Sequence, residues 1–182
     1  IPFSGSYSVQ SIDDLAYLVS LGIDVGQHNS LEVTFEFTMP SSSGDSGSQE
    51  VPPTIINSVE ASSIDSAINL MNTYISKKIN LSHCKAIVIS AELASQGISK
   101  ELYSLMNKSQ IRPDTNIIIS KCPAKNFIQN TKPSLENLIA KFYEIAPLSS
   151  EYTGYTINAQ LGNFFNQLSC LTCEPVAALR RH

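Results

Sequence analysis

CKAIVIS, residues 84–90, and TNIIIS, residues 115–120, are compact β-branched runs separated by a helix-like stretch from about Ile98 to Lys108. β-Branched side chains suit a pleated surface, and a helix of that length carries the chain back over a sheet face, so the two runs are expected to pair in parallel. The same unit precedes them. Thr54 to Ala61 alternates through Ile55, Asn57 and Val59, and Ser62 or Ser63 then caps a helix with Asp65 in its first turn. Ile64, Ala67, Ile68, Met71 and Ile75 form its apolar stripe, which places its end near Lys78, with Lys77 and Lys78 at the negative end of the helix dipole. The resulting strand-helix-strand-helix-strand series predicts a mixed sheet with two parallel crossovers.

Towards the N-terminus, Leu31 to Met39 is the clearest amphipathic strand, with Leu31, Val33, Phe35 and Phe37 on one face and Thr34, Glu36 and Thr38 on the other. Ile12 to Val25 reads as a second strand with Leu15, Tyr17, Val19, Leu21 and Ile23 on one face, and Gly26 and Asn29 turn the chain into an antiparallel hairpin. Pro40 to Pro53 is Ser-, Gly- and Pro-rich and is expected to be a mobile loop. Beyond Ser120 helices are expected at about Lys125–Gln129, Leu135–Ile145 and Ile157–Leu168. The fold class is therefore α/β (mixed α+β): a central mixed sheet with an N-terminal antiparallel hairpin, flanking helices and a helical C-terminal part.

Composition narrows the function classes. A net charge of −4, with twelve Lys and Arg scattered along 182 residues, gives no footprint for nucleic acid. The longest apolar runs fall well short of the ~20 residues that a bilayer-spanning helix needs. The chain begins at Ile1 without methionine or leader, and the expectation is that processing or engineering has removed the true beginning.

Few residues stand in patterns that catalysis would need. Cys170 and Cys173 are spaced like a thiol pair or half a zinc site, but Cys84, Cys122, His28, His83 and His182 stand at unrelated spacings, so no metal is expected. A redox pair of this kind usually opens a helix, whereas this one follows a helical stretch, and two ordinary helix-end cysteines are the preferred reading. His83 and Cys84 would point to opposite faces of a strand and form no dyad. No GxSxG turn appears, and Gly44 and Gly47 lack the Lys-Ser or Lys-Thr that a phosphate loop requires. Asp13, Asp14, Asp24, Glu32 and Glu36 are placed near strand ends or on exposed strand faces, which supports no acid and base assignment. Neither catalytic residue nor cofactor is expected, and binding to other proteins is the favoured role. A thiol-dependent enzyme using Cys170 and Cys173 is the least favoured alternative.

The run LSHCKAIVISAELASQGI, residues 81–98, carries more information. With Leu81, Ser82, His83, Lys85, Ile87 to Ile89, Gly97 and Ile98 in place, it resembles the signature of the germinant receptor C subunits, the Ger(x)C lipoproteins of spore-forming bacteria. Leu21-Gly22-Ile23-Asp24 resembles the end of the family's first strand, Ile111 to Lys121 its Arg-containing turn and next strand, and Tyr155 to Val176 its Leu-x-x-Phe stretch, here Leu161 and Phe164, with a later Pro175. The extreme N-terminus, Cys170 with Cys173, and the end from Leu179 to His182 depart from that pattern.

The resemblance implies a non-catalytic lipoprotein subunit of a nutrient germinant receptor, supporting assembly and the signalling that starts germination. Its implied partners are the two integral-membrane subunits, of A and B type, and the membrane itself through an acyl (palmitate) anchor. Its implied place is the outer surface of the spore inner membrane. Residues 1–11 would be the tail following a lipidation site and residues 12–182 an N-terminal domain with further domains after it. Phe3-Ser4-Gly5 fills the places that precede a lipid-bearing cysteine, so Ser6 is read as its replacement. Candidate interface residues are His83, Lys85, Tyr152 and Tyr155, the last two grouped with Phe164 and Phe165, and the loop Ser41–Gln49 is a candidate for ordering on a partner. The alternative is a small-molecule nutrient-binding module of the same receptor.

Overall fold

The structure, a computed structural model, describes residues 15–28, 30–38, 54–131, 139–153, 156–170 and 172–180. Ser6, the loop Ser41–Gln49 and Tyr155 lie outside the described residues.

Seven strands form one mixed sheet among the described residues. They are β1 (Leu15–Val25), β2 (Leu31–Thr38), β3 (Thr54–Ala61), β4 (Lys78–Asn80), β5 (Ala86–Ser90), β6 (Asn116–Ser120) and β7 (Ala178–Arg180). Their spatial order is β3-β2-β1-β5-β6-β7, with β4 beside the first residues of β1. β1, β2 and β3 form an antiparallel meander, whereas β1-β5, β5-β6 and β6-β7 are parallel. The predicted hairpin and mixed sheet are therefore present. The crossover from β5 to β6 joins neighbours, while the one from β3 passes over β2 and β1 before reaching β5.

Both faces of the sheet are covered. One carries α1 (Ile64–Tyr74), α2 (Ala91–Gln96), α3 (Ser99–Met106) and α7 (Leu161–Ser169); the other carries α4 (Ala124–Asn130) and α5 (Ile139–Ile145). A short 3₁₀ turn, Ala146–Ser149, leads into α6 (Ser150–Thr153). Ser63 caps α1, its hydroxyl accepting from the Ser66 N–H. That helix stops at Tyr74, short of the predicted Lys78, and Ile75 is its cap. Lys78 instead opens β4, because pairing Lys78, Ile79 and Asn80 with β1 satisfies their backbone and buries Ile79.

Two further expectations change. The single apolar face read for β1 is split by a bulge between Leu18 and Ser20, where Leu18 faces Phe37 and Ser20 faces Glu36. One extra residue reverses the alternation, so Leu18, Leu21 and Ile23 pack on the α1 side and Val19 on the α4 side. The C-terminal part is also not purely helical, since β7 joins the sheet beside β6. At Gly22 the α4 side is so close that an added Cβ would stand 2.8 Å from Ile128 Cδ1 and 3.3 Å from Ala124 Cβ. A larger residue here would require Ile128 and its neighbours on α4 to give way.

Candidate functional site

In an open sheet of this kind ligands usually sit beyond the carboxyl ends of the parallel strands, where the strand order changes direction. Here that point lies between β1 and β5. β1 ends with Asp24, β5 with Ser90, and Lys121, Cys122 and Pro123 follow β6; with Glu32 and Glu92 they line a cavity of about 160 Å³. Common ligand clefts are larger, at roughly 300–1,000 Å³.

Asp24 decides what this position can do. It is buried, and its two carboxylate oxygens accept the backbone N–H groups of Ala124 at 2.6 Å and Lys125 at 2.9 Å. The first donors of α4, which in other α/β proteins are free to hold an anionic ligand, are thus taken by a side chain of the chain itself. Burial pushes the Asp24 carboxyl above its usual range, while the Lys125 and Ala124 donors and the Ser90 hydroxyl work in the opposite direction. Lys125 Nζ turns to Glu32 at 2.6 Å, closing the rim with an ion pair. The arrangement ties β1, β2 and α4 together.

A second polar cluster lies inside the α4 and α5 layer. Glu36 is only 2% exposed, and Oε2 accepts the Ser20 hydroxyl at 2.5 Å. Reading it as an exposed strand carboxylate was an error of assuming one wet face; both faces of β2 are covered, and the same correction applies to Asp24. Burial raises the Glu36 carboxyl to about 7, against the donors around it. The Tyr143 hydroxyl, fully buried on α5, lies near Glu36, Ser20 and Thr131 but has the geometry of a hydrogen bond to none of them.

Of the residues singled out in the run 81–98, His83 and Lys85 lie at the opposite end of the sheet, before β5. His83 is exposed in the turn before β5 and meets Tyr17 edge to face, with ring centroids 5.0 Å apart. Cys84 is buried behind it, and burial raises its thiol to about 12, so it is inert as a nucleophile near neutral pH. Lys85 places its backbone N–H on Val19 O at 2.8 Å and accepts from Asn116 N at 3.0 Å, which sets β5 between β1 and β6. Its ammonium is 3.6 Å from Glu144. Gly97 takes φ +100°, a conformation that separates α2 from α3 and that glycine adopts freely. The run therefore fixes the entry to and exit from β5.

Tyr152 lies in α6, while Phe164 and Phe165 belong to α7. Phe164 is buried core, and Phe165 packs edge to face on Tyr103 at 4.8 Å. Cys170 and Cys173 are joined in a disulfide rather than standing as two ordinary helix-end cysteines. Among the described residues no group of three or more His, Cys, Asp or Glu is placed to hold a metal ion. No helix among them is long and apolar enough to cross a membrane. Sequence reading missed the Asp24–α4 contact and the Glu36 cluster. The available signal was Glu36 standing between Phe35 and Phe37, with Thr34 and Thr38 next along the strand.

The family model for the spore germination protein N-terminal domain matches residues 8–178. A candidate spore germination protein, YfkR of Bacillus subtilis (strain 168), is 25% identical over 182 residues, covering 97% of this chain and 46% of its own length. The chain thus spans about half the length of that relative. No solved structure matches the chain. With the match running from before β1 into β7, the chain belongs to the spore germination protein N-terminal domain family.

Proposed function

We propose that this domain is a non-catalytic assembly module of a nutrient germinant receptor, held at the outer surface of the spore inner membrane beside two integral-membrane subunits. The family match over residues 8–178 carries this reading. The way Asp24 occupies the ligand position of the sheet supports it, because the cavity left there is only about 160 Å³ and the first donors of α4 are already taken. In this reading the chain is the N-terminal domain of a longer lipoprotein, consistent with the length of YfkR. Ser6 would stand where the lipid-bearing cysteine belongs, and one acyl chain alone holds a protein only marginally, so contacts with the membrane subunits would share the anchoring. Tyr152, Tyr155, His83 and Lys85 are the candidate contact residues.

The test is co-purification of the membrane subunits with the lipoprotein carrying or lacking this domain. Assembly is expected to fall when the domain is removed, and unchanged recovery overturns the proposal. Titration of the domain with amino acids, sugars and nucleosides is expected to give no saturable signal. Micromolar binding of any of them would favour a nutrient-binding module instead.

A further inference from the structure

We propose that the Cys170–Cys173 disulfide is a reducible clasp that governs the docking of β7, and that its reaction partner is a dithiol reductant. The bond lies where α7 ends: Cys170 is the cap residue, its N–H bonded to Gln167 O at 3.2 Å, and Cys173 follows within one turn of chain. Cys173 is exposed and Cys170 half-buried, so a small thiol or a protein dithiol can reach the pair. The other two cysteines answer differently. Cys84 is buried, and the partly buried Cys122 keeps its sulfur 3.2 Å from the Ser120 hydroxyl. Among the described residues the oxidised pair lies at one place, the end of α7.

That place controls a strand with few attachments. β7 is three residues long, pairs with β6 from Ile118 to Ser120, and is held further by Lys121 N–H to Arg180 O at 3.0 Å. The Arg180 guanidinium donates to Ala146 O at 3.3 Å and has no carboxylate partner among the described residues. Four residues, Glu174 to Ala177, separate the clasp from the strand. The clasp fixes the direction in which the chain leaves α7, and so keeps β7 concentrated beside β6. Opening it lengthens the free tether between α7 and β7 from the residues after Cys173 to those after Ser169, which lowers the local concentration of a strand too short to pair strongly alone.

The position also argues against thiol catalysis. Exchange enzymes lower the pKa of the attacking thiol at a helix N-terminus, whereas Cys170 sits at a C-terminus, where the dipole disfavours a thiolate. The pair is built to be acted upon. In the reaction, a thiolate of the dithiol attacks one sulfur of the bond, a mixed disulfide forms, and the second thiol of the reductant displaces it. Two electrons and two protons pass to Cys170 and Cys173, and the reductant leaves as its own disulfide.

The experiment titrates the full chain with dithiothreitol, counts alkylated thiols by mass spectrometry and follows amide exchange of residues 174–180. Expected are simultaneous labelling of Cys170 and Cys173, and exchange in 174–180 faster by about threefold on reduction, with β1, β2 and β5 unchanged. A C170S/C173S double variant should match the reduced protein and ignore dithiothreitol. Free thiols at both positions in air-equilibrated buffer overturn the proposal. So does exchange in 174–180 that is the same before and after reduction.

Discussion

The two faces of the sheet are sealed by different chemistry. Under α1, α3 and α7 the contact is hydrocarbon: Phe35, Leu18, Leu21, Ile64, Met71, Leu102 and Leu105 are all essentially inaccessible, and Phe35 and Phe37 stack with centroids 6.0 Å apart. Under α4 and α5 the apolar cluster of Val19, Val88, Phe127 and Ile128 surrounds a carboxyl, two hydroxyls and a tyrosine. The first face gains stability from every atom it buries. The second spends part of that gain on burying a carboxyl and a tyrosine hydroxyl that has no hydrogen bond. Its stability should therefore respond to protons where that of the first responds only to volume.

The largest effect should come from the first face. Phe35→Ala removes a fully buried ring from a close-packed layer and is expected to cost about 3–5 kcal/mol. Urea unfolding at pH 5 and pH 8 should give the same loss at both, since Cys84, a titratable side chain of that cluster, is raised to about 12 and keeps its proton throughout. A loss that depends on pH would mean that the two layers are coupled through β2.

Glu36→Gln tests the second face. In the folded chain the carboxyl titrates near 7, against an ordinary value of 4.5. Below pH 4.5 both folded and unfolded states hold the proton and the group costs nothing. As pH rises from there through 7, the unfolded state gives up its proton while the folded state keeps it, so stability falls, by about 3 kcal/mol in all. Gln carries no proton to lose, and the variant should lack that decline between pH 5 and pH 8. An equal decline in wild type and variant would place its origin elsewhere, with Asp24 the next group to examine.

This contrast explains what could be read from the chain beforehand. Periodicity gave the strands and the helix stripe because Val33, Phe35, Phe37, Ile64 and Met71 meet a purely apolar layer, where pattern and burial coincide. It failed where that link breaks. The bulge at Val19 reverses the alternation of β1 without leaving a turn residue to mark it, and Glu36 is buried against the pattern by a second layer of helices. β4 and β7, at three residues each, are shorter than any window in which alternation is visible. The Asp24 contact joins residues 100 positions apart, which no local spacing reveals. The family signature from Leu81 to Ile98 was legible, yet its His83 and Lys85 lie at the end of the sheet away from that contact.

The smallest effect isolates a single hydroxyl. Tyr143 is fully buried on α5, its ring held 5.6 Å from that of Phe142 and its backbone carbonyl accepting from Asn116 Nδ2 at 3.0 Å. Those contacts survive in Phe, so Tyr143→Phe removes only an oxygen that left water without gaining a hydrogen bond. At pH 5, with Glu36 protonated, the variant should be as stable as wild type or more stable by up to about 1 kcal/mol. At pH 8 the balance shifts. The hydroxyl lies near enough to favour ionised Glu36, so its loss raises that carboxyl further and deepens the decline with pH. The gain at pH 5 should therefore shrink or reverse by pH 8. A loss above 1 kcal/mol at pH 5 would show instead that the hydroxyl is bonded in solution, and the second face would then resemble the first in having no unmet polar group.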